Sequence, residues 1–165
     1  MRIPFIHQST EDSLASSQLF NEKAFYQKFL KDVSHCRREL LLESPFLTVR
    51  RTNFFLPTLQ GLRSRGVNII VNTRHPNEHE GFLKSEAEQS IALLQSIGIS
   101  VLATGGLHRK IAIVDRRVLW EGSLNILSHN TSCEMMRRID SHSMSQDMIR
   151  FLNATSKVVT NATII

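Results

Sequence analysis

His108 and Lys110 stand two residues apart in "GGLHRKIAIVDRRVLWEGSLN", residues 105–125. On an extended chain, residues two apart present their side chains to one face. The imidazole and the ammonium would then point together, and Leu107, Arg109 and Ile111 the other way. Such a pair makes chemical sense facing an anion. The ammonium neutralises phosphate oxygens, and an imidazole can attack phosphorus or move a proton near neutral pH. Ser123 and Asn125 repeat the two-residue spacing in a segment opened by Gly122. A hydroxyl and an amide there can donate hydrogen bonds to a pentacoordinate phosphorane. Asp115 closes the histidine run, where it can accept from backbone amides of the turn that follows.

The elements around these residues must hold them still. A helix is expected from Asp12 or Ser13 to about His35, through Phe20, Ala24, Tyr26, Phe29, Leu30 and Val33. "RELLLESPF" (38–46) reads as a buried strand ending at a proline. Residues 52–66 read as a helix closed by Gly66, with Pro57 in its first turn. A strand at 67–73, a polar loop at 74–81, an amphipathic helix at 82–97 and a strand at 99–104 follow. "HRKIAIVD" and "RVLWEG" read as two strands joined by a tight turn at Asp115–Arg117. Residues 131–139 suggest a strand, and Met144 to Val158 a closing helix. Alternating helices and wholly apolar strands indicate a single α/β domain spanning residues 1–165. The expected fold is a mixed, mostly parallel sheet flanked by helices on both faces.

The chain has 165 residues and a formal charge of +5, with fourteen Arg against six Lys. Arginine's planar fork suits bidentate phosphate contacts, and a basic domain often meets an anionic polymer. Arg74, Arg109, Arg116 and Arg117 are the candidate nucleic-acid contacts. The two cysteines have no CxxC or Cys/His cluster around them, so neither a zinc site nor a disulfide framework is expected. "HPNEH" (75–79) has the letters of a zinc pattern. Its proline and loop setting cannot put both histidines on one helix face, so no metal is expected. No apolar run approaches bilayer length and no secretory h-region is seen, so the expected location is the cytoplasm. Met135, Met136, Met144 and Met148 read as core, and His129 and His142 as surface.

H-x-K-x4-D followed six residues later by G-S-x-N resembles the HKD motif of the phospholipase D superfamily. Here it is carried by His108, Lys110, Asp115, Gly122, Ser123 and Asn125. The resemblance implies metal-independent phosphodiester cleavage without a cofactor. One histidine attacks phosphorus to form a phosphohistidine, and a second protonates the leaving alcohol. It also implies that Glu134, nine residues after Asn125, supports the catalytic histidine. Family members bring two motifs to one site, whereas this sequence has one. The resemblance therefore implies a homodimer with His108 of each copy facing a common phosphorus. Trp120, Leu124 and Ile126 are candidate interface residues. Small size, one motif and basic charge favour a nuclease acting on DNA, with single-stranded DNA and RNA as further candidates. No stable membrane association is expected. Two other readings stay open: a phospholipid phosphodiesterase or transphosphatidylase at a membrane surface, and a non-catalytic nucleic-acid-binding module on the same fold.

Overall fold

The computed structural model describes residues 17–128, 131–158 and 163–164. Its elements are β1 (Ser17–Asn21), α1 (Glu22–Ser34), β2 (Glu39–Glu43), α2 (Val49–Ser64) and β3 (Asn68–Arg74). A single 3₁₀ turn (Pro76–Glu78), α3 (Gly81–Ser96) and β4 (Ser100–Thr104) follow. The chain continues through β5 (Ile111–Val114), β6 (Val118–Gly122), β7 (Met135–Asp140), α4 (His142–Val158) and β8 (Thr163–Ile164). The strands form one eight-stranded sheet in the order β1-β7-β6-β5-β2-β3-β4-β8.

Helices cover both faces, as expected, and the strand sequences show why. Leu40 and Leu42 of β2 join Ala112 and Val114 of β5 in a core under α1, α2 and α3. That core is built on Trp120, Phe25, Phe29 and Phe55. Ile111, Ile113, Leu119 and Ile139 face the other way, against Leu152, Met144 and Met148 of α4. The central strands are thus buried on both sides and read as unbroken apolar runs. Trp120, Leu124 and Ile126 lie in the first core, at most 1 % exposed. They are committed to the chain's own interior and are not interface residues. Met136 is core, whereas Met135 is 46 % exposed.

Parallel pairing is confined to β2-β3 and β3-β4, and every other ladder is antiparallel. The sheet is mixed, with fewer parallel pairs than the helix–strand alternation implied. Past β4 no helix intervenes until α4, so β5, β6 and β7 can return only as an antiparallel meander.

Two helix boundaries differ from expectation. Residues 17–21 form an edge strand on β7, from Ser17↔Ile139 to Asn21↔Met135, where helix was expected; residues 12–16 lie outside the described residues. Ladder bonds outweigh the helical spacing, and Asn21 caps α1 by accepting from the Ala24 amide at 2.9 Å. α2 begins three residues earlier than expected, because Thr48 caps it by accepting from the Arg51 amide. Pro57 therefore sits in mid-helix. Pro57 and Asn53, whose carbonyl loses its helical partner, are both exposed, so that carbonyl is not buried without a partner.

Cys36 is buried and Cys133 exposed. Burial, followed by its hydrogen bond to Asp115, pushes the Cys36 thiol up to about 12. A thiolate is the reactive species. A maleimide titration of the native protein should therefore modify Cys133 and spare Cys36. Both should react in denaturant, which mass spectrometry of the two states will show.

Candidate active site

β2, β3 and β4 end at one edge of the sheet. β5 is antiparallel to β2, with Glu43 paired to Ile111, and so begins there. β6 ends there at Gly122, opposite Met136 of β7. His108–Lys110, Ser123–Asn125 and Glu134 thus converge at this edge, beside the first turns of α2 and α3. The segments before β5, after β6 and before β7 contribute them.

His108 and Lys110 lie in the irregular segment just before β5 rather than in the strand itself. The one-face expectation nevertheless holds. Lys110 Nζ is 2.9 Å from His108 Nδ1 and donates to the His108 carbonyl at 2.6 Å. An ammonium only donates, so Nδ1 is the unprotonated nitrogen in this contact and Nε2 carries the proton. Lys110 is 7 % exposed.

Ser123 is tied to β7: its amide donates to the Met135 carbonyl and its hydroxyl accepts from the Met135 amide at 3.1 Å. Gly122 makes that approach possible. A Cβ placed there would lie 2.1 Å from the Met135 carbonyl oxygen. The loop that follows is stitched to the start of α2 by Leu127 N to Ser44 Oγ and by Thr48 N to the Leu127 carbonyl. This holds Asn125 in place, its buried Oδ1 having no hydrogen-bond partner among the described residues. The Glu134 carboxylate accepts from the Ser132 hydroxyl at 2.6 Å and lies near enough to Lys110 to favour its ammonium.

Asp115 has a different function. Its carboxylate accepts from the amides of Arg37, Arg38 and Glu39 at 2.8–3.1 Å, and from the Cys36 thiol. These amides belong to the α1–β2 connection and the first residue of β2, and not to the turn after Asp115. Asp115 and Arg116, at φ +50° and +55°, form a left-handed hairpin turn that aims the carboxylate at that connection.

A family model described as "Cardiolipin synthase, PLD-like domain" matches residues 29–155. The chain belongs to the phospholipase D-like family. Among solved structures this PLD-like domain resembles Nuc from Salmonella typhimurium, a phospholipase D family member. The TM-score is 0.71 at 14 % identity, over 91 % of this chain and 97 % of that one. NucT from Helicobacter pylori gives 0.69 at 16 % identity, over 90 % and 98 %. TrmBL2, an archaeal chromatin protein with a novel mode of DNA binding, gives 0.63 at 13 % identity, over 98 % and 58 %. At these identities the likeness shows a common fold. No curated protein matches the sequence.

The four arginines singled out from the sequence of this PLD-like domain divide by location. Arg74, at the end of β3, donates to the Leu107 carbonyl at 3.0 Å and lies close enough to Lys110 to act on its charge. Arg109 gives its fork to Glu43. Arg116 and Arg117 sit at the far end of β5, paired with Glu39 and Asp140. Six residues from Lys110 to Arg116 span roughly 20 Å of extended chain, so these two cannot meet the phosphate that Lys110 would meet. His75 caps the 3₁₀ turn, while His79 is buried against Phe46. Among the described residues no cluster of three metal-ligating side chains occurs. His129 lies outside the described residues, and His142 is exposed.

Two cavities open at the edge. One, of about 390 Å³, is lined by Lys110, Gly122, Met135 and Arg137 among others. The other, of about 230 Å³, is lined by Thr104, residues 105–109 and Thr155. The sequence reading missed three buried polar residues beside them: Glu43, Asn72 and Thr104. A signal existed, since each is a polar residue at or near the carboxyl end of a strand whose middle is apolar.

Burial pulls Lys110 below its ordinary value of 10.5; the Glu134 carboxylate opposes this and Arg74 adds to it. Removing a nearby negative charge disfavours the ammonium, and removing a positive one favours it. The alkaline limb of the pH–rate profile should therefore move to lower pH in Glu134→Gln and to higher pH in Arg74→Met. Hydrolysis of bis(p-nitrophenyl) phosphate between pH 7 and 11 will report both shifts.

Proposed function

We propose that this PLD-like domain is a metal-independent nuclease cleaving DNA, single-stranded DNA or RNA at a site completed by a second copy of the chain. The observation that carries the reading is the close pairing of His108 with the buried Lys110, at an edge that also gathers Ser123, Asn125, Glu134 and Arg74. A phosphodiester drawn there meets Lys110 and Arg74. When the phosphate takes the lysine ammonium, His108 Nδ1 takes a proton from water while Nε2 gives its own proton to water, and the ring, still neutral, has Nε2 free as the nucleophile. Nε2 forms a bond to phosphorus as the bond to the leaving oxygen breaks, and that oxygen takes a proton from His108 of the partner subunit. Water then attacks phosphorus and gives its proton to that second imidazole. The P–N bond breaks, releasing a phosphomonoester and restoring both histidines. Ser123 and Asn125 donate to the charge that builds on the non-bridging oxygens.

Nucleic acid is favoured by the +5 charge, carried mostly by arginine. The fold shared with a DNA-binding chromatin protein agrees with it. Among the described residues no helix is long and apolar enough to cross a membrane. The dimer surface would draw on Met135, which is exposed beside Gly122.

The test is cleavage of plasmid and single-stranded DNA in excess EDTA, with anionic phospholipid vesicles in parallel because the family description names a lipid enzyme. DNA cleavage that survives EDTA and disappears in His108→Ala supports the proposal. Cleavage of vesicles alone, or DNA binding without cleavage, overturns it. Sedimentation should give twice the 18.8 kDa chain mass, and an active monomer would refute the shared site.

A further inference from the structure

The segment that carries His108 and Lys110 has no sheet partner, yet its residues must be held to a fraction of an ångström. Arg109 stands between them, and its guanidinium is taken up by Glu43. Its Nε and Nη2 bond the two oxygens of Glu43 at 2.7 and 3.1 Å. Glu43 is 3 % exposed and also accepts from Asn72 Nδ2 at 2.9 Å. Asn72 Oδ1 in turn accepts from the Thr104 hydroxyl at 2.9 Å. The chain of bonds runs Arg109, Glu43, Asn72, Thr104, and so ties the segment to the ends of β2, β3 and β4.

We infer that the Arg109–Glu43 pair, backed by Asn72 and Thr104, is the device that positions His108 and Lys110, and that Arg109 is a positioning residue rather than a contact to substrate. The inference rests on the reading that His108 and Lys110 perform the chemistry. The bidentate geometry fixes both the distance and the rotation of the guanidinium. The Arg109 backbone thereby becomes a fixed point one residue from each reactive side chain. Hydrogen bonding to Glu43 holds the guanidinium above its ordinary range, so Arg109 stays charged at any working pH. Asn72 and Thr104 are both buried, and they fix the carboxylate itself.

The test uses Glu43→Gln, Arg109→Lys, Thr104→Val and Thr104→Ser, with bis(p-nitrophenyl) phosphate as a substrate too small to need a nucleic-acid surface. Misplacement should lower kcat by ~10- to 100-fold in Glu43→Gln, with KM changed less than about two-fold. Arg109→Lys should fall between. Thr104→Val should lose several-fold and Thr104→Ser should recover it. If Glu43→Gln does not fold, the Arg109→Lys and Thr104 variants decide. A higher KM for DNA in Arg109→Lys, with unchanged kcat on the small ester, would make Arg109 a substrate contact and overturn the inference. Unchanged kcat in all four variants would also overturn it. A readout free of turnover separates this from failure of the nuclease reading. The ¹⁵N shifts of the His108 ring report its contact with Lys110 and should change in Glu43→Gln, whatever the substrate proves to be. Identical ring shifts in wild type and variant would sink the positioning role alone.

Discussion

Replacing Lys110 with methionine should abolish phosphodiester cleavage while leaving the melting temperature close to that of the wild type. The side chain is almost wholly enclosed, and its ammonium is hydrogen-bonded to the His108 ring and carbonyl. Methionine keeps most of the stem's volume and removes a charge that burial already disfavours. Little folded-state stability is at stake. The transition state, in contrast, would lose a cation placed against the phosphoryl oxygens. Losing a single preorganised donor to such charge typically costs ~10²–10³ in rate. A full charge in a partly dry site should cost at least ~10³ on the same grounds. Single-turnover rates with excess protein and a short labelled oligonucleotide measure this directly. A K110M protein that cleaves within ten-fold of wild type would remove the lysine from the mechanism. Binding of the uncleaved oligonucleotide should weaken far less than the rate falls.

The second large effect is on folding. Gly122→Ala places a methyl group 2.1 Å from the Met135 carbonyl oxygen, with Met136 Sδ and Cα also under 3 Å away. Met136 Sδ can swing aside; the Met135 carbonyl cannot, because it is the acceptor for the Ser123 amide. The chain must therefore open the β6–β7 pairing at the point where it holds Ser123. Overpacking of this kind costs about 1–3 kcal/mol when neighbours can yield. With backbone on one side, about 3 kcal/mol or more is expected. Urea denaturation should show this loss with an unchanged m-value. The surviving folded fraction should be less active than wild type, because Ser123 moves with the carbonyl that anchors it. A stability within 1 kcal/mol of wild type would mean that the strand end is softer than its ladder implies.

The motif was legible because its residue types are rare in apolar runs and their spacing is unusual. The strand–helix–strand order from Glu39 to Thr104 was legible for a related reason, namely long apolar runs punctuated by Gly66 and Gly98. The tight turn at Asp115–Arg117 made the antiparallel β5–β6 hairpin legible too, whereas the antiparallel docking of β5 on β2 was not, because a short apolar run reads alike in either direction. β1 escaped because Phe20 and Ala24 happen to keep helical spacing while Ser17–Asn21 pair with a strand more than a hundred residues away. The same limit hid Asp115's partners. Its carboxylate serves amides nearly eighty residues earlier in the chain, and no local pattern announces a contact of that range. Trp120 misled for a simpler reason. Hydrophobicity marks a residue for burial without saying which surface buries it. Arg109 illustrates the converse: charge suggested phosphate, and a buried carboxylate from another strand had already claimed the fork.

Four residues separate Lys110 from Asp115, and they are the whole of β5. Reactive pair and anchor are two ends of one ruler, so the interval in the motif measures a strand and not a catalytic distance. Inserting one residue into it would either turn the lysine through to the wrong side of the sheet or drag the carboxylate out of its nest of amides. Natural variation in this interval should therefore be far rarer than variation in the residues that fill it.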